Sequence, residues 1–169
     1  TVVFALLSMT VGPLLGLVSA LLLNLPIRGR VWFRNAFFLP VVMPLVVAGT
    51  IWKMLLADNG LINQLLGVVG LDHQWLTDPG TALYAIIATS VWQGFGFETV
   101  VFLSALQSIP FELYEAARCD GANSWHQFWA VTLPALRPTM VFVFVVGVIG
   151  AFQAYDQVYV MTQGGPLRS

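Results

Sequence analysis

The sequence predicts an all-α fold, a polytopic transmembrane helix bundle with a short helical segment projecting from one face, and three observations carry that expectation. Hydrophobic residues make up 58% of the 169 and charged residues 9%, with a mean hydropathy of +0.82. A water-facing surface needs roughly a quarter or more of charged side chains, so this composition belongs in a lipid bilayer. Four apolar stretches are long enough to cross a hydrocarbon core, which takes about 20 helical residues. None shows the period-2 alternation of a barrel strand, and only helices and closed barrels can span lipid. Residues 1–169 are therefore expected to form one transmembrane domain.

The expected spans are residues 1–25, 36–57, 81–106 and 139–161. Pro13, Pro40 and Pro44 fall inside the first two, where kinks are tolerated because neighbouring helices can satisfy the freed carbonyls. The connections differ in charge. Residues 26–35 carry Arg28, Arg30 and Arg34, and 107–138 carry Arg118 and Arg137. The middle connection, 58–80, has no Lys or Arg but holds Asp58, Asp72 and Asp78. Cytoplasmic loops carry the excess of basic residues, so the first and third connections are expected inside and the second outside. Trp32, Trp52, Trp75 and Lys53 suit the interfaces, where indoles and a snorkelling amine anchor a span.

Segment 107–138 is the long polar-leaning interruption. Pro110 suits the first turn of a helix, and residues 111–119 are good helix formers with Glu112 and Glu115 near its positive end. Asp120-Gly121 supplies a turn in which glycine can take the positive φ of a helix end. Ser124 is expected to cap a second short helix bearing Trp125, Phe128 and Trp129, and Leu133-Pro134 to stop it before the next span. The product is a small helical knob.

Several functions are excluded or unsupported. A net charge of −1 gives no polybasic footprint for nucleic acid, and one lysine in the chain leaves no phosphate-binding P-loop. Any ATP would be handled by a partner. Cys119 is the single cysteine and cannot pair internally. His73 and His126 are expected on opposite sides of the membrane, where they cannot share a metal. Gly94-Phe95-Gly96 sits within a span and is no dinucleotide fingerprint. The chain begins at Thr1 rather than Met, and is expected to be an internal piece of a longer protein.

Glu115-Ala116-Ala117, then three residues, Gly121, nine residues and Val131-Thr132-Leu133-Pro134 resembles the EAA loop of ABC importer permeases, with Val131 where Ile is usual. Arg34 with Leu39-Pro40, Trp52, Gly60 with Asn63, Asp78-Pro79, Trp92, Asp120-Gly121-Ala122 and Thr162-Gln163-Gly164-Gly165-Pro166 resemble the sugar branch, of maltose or glycerol-phosphate type. The resemblance covers essentially the whole chain. It implies that the segment is a coupling helix docking in a cytoplasmic ABC ATPase dimer, through Glu115, Ala116, Ala117, Asp120, Gly121, Trp125, Phe128, Leu133 and Pro134. It also implies a second permease subunit, an extracytoplasmic solute-binding protein, a bacterial inner-membrane location and no catalytic residues. No cofactor is expected on this chain, ATP and Mg belonging to the ATPase. The family core has six spans, so the first and last are expected to be missing here.

For the solute path the candidates are Gln93, Glu98, Gln153 and Asp156. An ionisable group in mid-span costs at least about 2.5 kcal/mol unless it meets a cavity or a partner. Ser90, Gly94 and Glu98 share one helical face, as do Gly147, Gly150, Gln153 and Gln157. Such stripes describe close helix packing and a polyol pathway equally well. A proton-coupled secondary transporter using Glu98, or a membrane scaffold docking through the 115–134 segment, are the alternative functions.

Overall fold

The computed structural model describes residues 2–26, 29–68, 70 and 73–164, with the backbone alone at Asp156. Arg28, Asp72 and the Gly165-Pro166 end of the last motif lie outside the described residues. Among the described residues nine α-helices run in order: α1 (Val2–Asn24), α2 (Arg30–Val42), α3 (Leu45–Leu55), α4 (Leu61–Gly67), α5 (Ala82–Gln107), α6 (Phe111–Cys119), α7 (Ser124–Gln127), α8 (Leu133–Phe152) and α9 (Tyr155–Thr162), with a π-helical turn at Phe128–Thr132 between α7 and α8.

Among the described residues three helical segments are long and apolar enough to cross a membrane: α1, α5 and the continuous run Ser124–Phe152. The second expected span is instead the pair α2 and α3, bent by 99°. The break has a local cause. Met43 precedes Pro44, and the proline ring disfavours the α region for the residue before it; Met43 is extended at φ −73°, ψ 133°. The fourth span also departs from expectation. It starts as far back as Ser124, ends at Phe152 and is followed by the separate α9.

Helix α5 is the hub. It packs most extensively on α1 and also contacts α2, α3, α8 and α9. At one end Ala20, Leu23, Phe102, Leu103, Leu106, Leu136 and Val143 form a buried cluster; at the other, Phe4, Leu56, Ala85, Ile86, Ile87, Val91, Ala151 and Met161 form a second. The pairing makes α1 parallel to α5 and α8 antiparallel. Arg30 and α6 therefore share one end of the bundle, and the 58–81 connection lies at the other. Buried Thr89 and Thr99 return their hydroxyls to the carbonyls of Ala85 and Phe95, at 3.0 and 2.7 Å. That satisfies them within their own helix, the condition for a polar side chain in lipid.

The 58–81 connection is stapled by Asn63. Its side chain donates to the carbonyl of His73 at 2.9 Å and accepts the His73 N–H and the Trp75 indole N–H at 3.2 and 2.8 Å. Trp75 is thus half-buried and tied into the loop through its indole N–H. Asp78 Oδ1 accepts the Gly80 N–H at 3.0 Å, and Oδ2 lies 2.9 Å from His73 Nε2. The Gly80 amide first, and the His73 ring second, hold the Asp78 carboxyl below its ordinary value of 3.8. A depressed folded pKa contributes stability that is full above the unfolded value and is lost as pH falls through the folded one. Acidification below the ordinary carboxylate range is therefore expected to lower the protection of the Gly80 and Thr81 amides relative to their intrinsic exchange rates at each pH, and Asp78→Asn to remove that pH dependence.

Candidate functional site

Two features stand out: the knob at one end of the bundle and a cavity at mid-depth. In the knob, α6 ends in a Schellman motif. Gly121 takes φ +80°, its N–H bonds the Arg118 carbonyl at 3.0 Å, and the Ala122 N–H bonds the Ala117 carbonyl at 2.9 Å. The next helix is capped by Asn123, not by the expected Ser124. Asn123 Oδ1 accepts the His126 N–H at 2.9 Å, three residues ahead, leaving Ser124 as the first helical residue.

Leu133-Pro134 does not stop this helix. The Leu133 N–H reaches back to Phe128, closing the π-helical turn immediately before Pro134. Proline, having no N–H, is tolerated in the first turn of a helix, so the π-helical turn hands the chain directly into α8. The knob is consequently continuous with a span. Tyr114 of α6 fastens it, its hydroxyl 2.9 Å from Oγ1 of buried Thr132. Tyr114→Phe is expected to cost about 1 kcal/mol locally, read as faster amide exchange in α6 with the span core unchanged.

Glu115, Ala116, Asp120 and Gly121 are exposed, and Ala117 is half-buried. Trp125 and Trp129 are 66% and 51% exposed yet pack together, ring centroids 5.6 Å apart, with Phe128 against both. Arg118 lies over the Phe111 ring at 5.8 Å. The knob thus presents an exposed face of aromatic, small and charged residues on a rigid base. Leu133 and Pro134 are half-buried where that base joins α8.

The cavity, of about 760 Å³, is lined from α1, α5, α8 and α9 and by Val41 and Leu45 beside the bend. It brings together the two polar stripes of the sequence: Ser90, Gly94 and Glu98 face Gly147, Gly150, Gln153 and Gln157. Gln93 Nε2 donates to the Met43 carbonyl at 3.0 Å. Ser90 Oγ lies 2.7 Å from Gln157 Oε1. Gln93 Oε1, Glu98 Oε2 and Gln157 Nε2 are buried without protein partners. Such atoms call for water or a ligand. Gln153 sits at the exposed rim, and the Asp156 side chain lies outside the described residues.

Sequence reasoning missed the contribution of α1. Gly12 and Gly16 let Glu98 approach: a Cβ at Gly12 would stand 3.0 Å from Glu98 Oε2, and one at Gly16 2.7 Å from Glu98 Cβ. Gly12, Gly16 and Ala20 recur every four residues, the small-residue spacing of close helix pairs in membranes, and that signal was legible. Among the described residues no group of three or more acidic, His or Cys side chains could hold a metal ion.

Apolar helices long enough to cross a membrane, packed around a largely apolar cavity that carries a few polar groups, with a helical knob continuous with one of them, suit a multi-pass membrane permease. Residues 12–169 match the family described as binding-protein-dependent transport system inner membrane component, and the chain belongs to that family. It is 36% identical to the trehalose/maltose transport system permease protein MalF of Thermococcus litoralis, over 98% of this chain and 57% of that protein. It is also 36% identical to the lactose transport system permease protein LacF of Rhizobium radiobacter, over 100% of this chain and 59% of that one. Its fold resembles a crystal structure of a bacterial alginate ABC transporter in complex with an alginate pentasaccharide-bound periplasmic protein, with TM-score 0.83 and 27% identity, covering 98% of this chain and 59% of that one. The chain spans a little over half the length of these relatives.

Proposed function

We propose that this chain belongs to the membrane subunit of an ATP-driven importer, one that moves a sugar or related polyol delivered by an extracytoplasmic binding protein. The observation that carries the proposal is the knob: a docking face held by the Gly121 turn and the Tyr114–Thr132 bond on a helix that runs unbroken into a span. A push on such a lever is transmitted to the cavity wall, because α8 contributes Val143, Val146, Gly147 and Gly150 to it.

In this function the knob faces the cytoplasm and docks on an ATPase dimer through Glu115, Ala116, Ala117, Asp120, Gly121, Trp125 and Phe128, while Leu133 and Pro134 join it to the span. ATP and Mg are held and hydrolysed by that partner, and no catalytic residue is assigned to this chain. A second permease subunit completes the pathway. The unpartnered atoms of Gln93, Glu98 and Gln157 suit a solute rich in hydroxyls, which both donate and accept hydrogen bonds. Gln153 and Asp156 belong at the outer rim of that pathway. The relatives' names point to the same class of cargo, with trehalose, maltose, lactose and alginate among them.

The test is uptake of radiolabelled maltose, trehalose and lactose into proteoliposomes holding the full-length parent, its companion subunits and its binding protein. Uptake that requires ATP and survives collapse of the proton gradient supports the importer. The unpartnered Glu98 oxygen favours a second reading, proton coupling through that residue. Uptake that ignores ATP, follows the proton gradient and is abolished by Glu98→Gln would establish it instead.

A further inference from the structure

The 99° bend between α2 and α3 is stabilised from outside its own segment. Pro44 offers no N–H, and the amides of Val47 and Ala48 bond the Pro44 carbonyl rather than that of Met43. The Met43 carbonyl is met by the side chain of Gln93, one element away on α5. A backbone carbonyl without a partner in an apolar environment is strongly disfavoured, so this one hydrogen bond decides whether the bend is tenable. Gln93 is held in register for it. Gly96, one turn along α5, touches the Phe37 carbonyl of α2 so closely that no side chain fits between, and Phe37 packs on Phe95 with ring centroids 5.4 Å apart. The other half of the same amide, Oε1, is buried without a partner on the cavity wall.

We infer that Gln93 is a positioning residue that latches the α2–α3 elbow: its amide N–H holds the Met43 carbonyl, and withdrawal of that donor when α5 shifts against α2 releases the elbow. The release step rests on the importer function proposed above, whereas the latch itself does not. A released segment can straighten, which places residues 39 and 54 about 22 Å apart at 1.5 Å per residue, farther than the bent form allows.

The experiment places spin labels at Leu39→Cys and Met54→Cys, both exposed, with Cys119→Ser, in the full-length parent assembled with its companion subunits. Distances are measured by pulsed electron resonance without nucleotide. Unsubstituted residue 93 is expected to give one short distance, and Gln93→Met a population extending toward ~22 Å. Gln93→Glu keeps the size but donates only when protonated. It is expected to behave as Gln93→Met at neutral pH and to recover the short distance on acidification, which also covers failure of the methionine variant to assemble. Glu98 is the ionisable side chain that lines the same cavity among the described residues. Unsubstituted protein and Gln93→Met carried through the same pH series separate its titration from that of residue 93. A Gln93→Met distribution identical to the unsubstituted one, or a Gln93→Glu distribution that ignores pH, overturns the latch.

A second arm adds ATP and vanadate. Trapping is expected to lengthen the distance with Gln93 and to add nothing with Gln93→Met. If it moves both alike, the release does not run through Gln93. If it moves neither, the ATP-driven function fails while the latch, measured without nucleotide, stands.

Discussion

On the importer function proposed above, Gly121→Val is expected to lower ATP-driven uptake by the full-length protein at least tenfold, and to release the ATPase while the second membrane subunit stays bound. The reason is conformational. Gly121 sits at φ +80° with no atom within 4 Å of where a Cβ would lie, so a side chain there meets no neighbour and the whole penalty falls on the backbone. An L-residue in that region costs roughly 1–2 kcal/mol, and a β-branched one is a genuine outlier. One or two kcal/mol changes a local equilibrium by about 5–30-fold. The equilibrium at stake is the Schellman turn that sets the angle of α6 against the next helix, and with it the shape of the docking face. Gly121→Asn is the discriminating control, because asparagine tolerates the left-handed region. Uptake within about twofold for Asn, with loss for Val, establishes that the turn matters. Equal loss for both would mean instead that the partner needs bare backbone at this point, and full activity for Val would remove the turn from the mechanism.

The sequence exposed those features that depend on composition and short-range chemistry. Apolar length alone located α1 and α5, whereas the stretch expected as the fourth span overlaps α8 but starts later and runs on into α9; the positive φ at Gly121 followed from an Asp-Gly pair after a good helix. Glu98 and Gln153 stood out because polar groups are rare in a span, and both line the cavity. Features decided by competition between neighbours were not legible. Pro40 and Pro44 were compatible with either a kink or a break; the break needs a donor for the Met43 carbonyl, and nothing in residues 36–57 announces that it comes from Gln93. Asn123 and Ser124 are both capping types, and only the reach of Asn123 to His126 settles the helix start. Leu133-Pro134 reads as a stop because a π-helical turn that accommodates a proline leaves no compositional trace. Which polar atoms remain free in the cavity depends on partners tens of residues apart, such as Ser90 with Gln157.

Gly96→Ala is expected to be the most disruptive single methyl added to the bundle, and its neighbour Gly94 supplies the comparison. A Cβ at Gly96 would overlap the Phe37 carbonyl oxygen, stand 2.8 Å from the Phe37 carbonyl carbon and 3.1 Å from Val41 Cγ2. The obstacle is backbone, which cannot rotate aside as a side-chain tip can. Helix α2 must therefore move off α5, separating Phe37 from Phe95 and drawing the Met43 carbonyl away from Gln93. Overpacking typically costs 1–3 kcal/mol where side chains absorb it, and here it falls at or beyond the upper end because a hydrogen bond in an apolar environment is lost as well. At Gly94, by contrast, no atom lies within 4 Å of the added carbon. Replacing glycine by alanine inside a helix favours the helix by about 1 kcal/mol, so Gly94→Ala is expected to match or exceed the unsubstituted protein in stability. The measurement is the thermal midpoint and the monodisperse yield of the assembled transporter in one detergent, for all three proteins side by side. A marked drop confined to Gly96→Ala ties the stability of the bundle to the α2–α5 approach. Equal midpoints for the two alanine variants would mean that α2 slides on α5 without loss, and the close approach at Phe37 would then hold nothing in place.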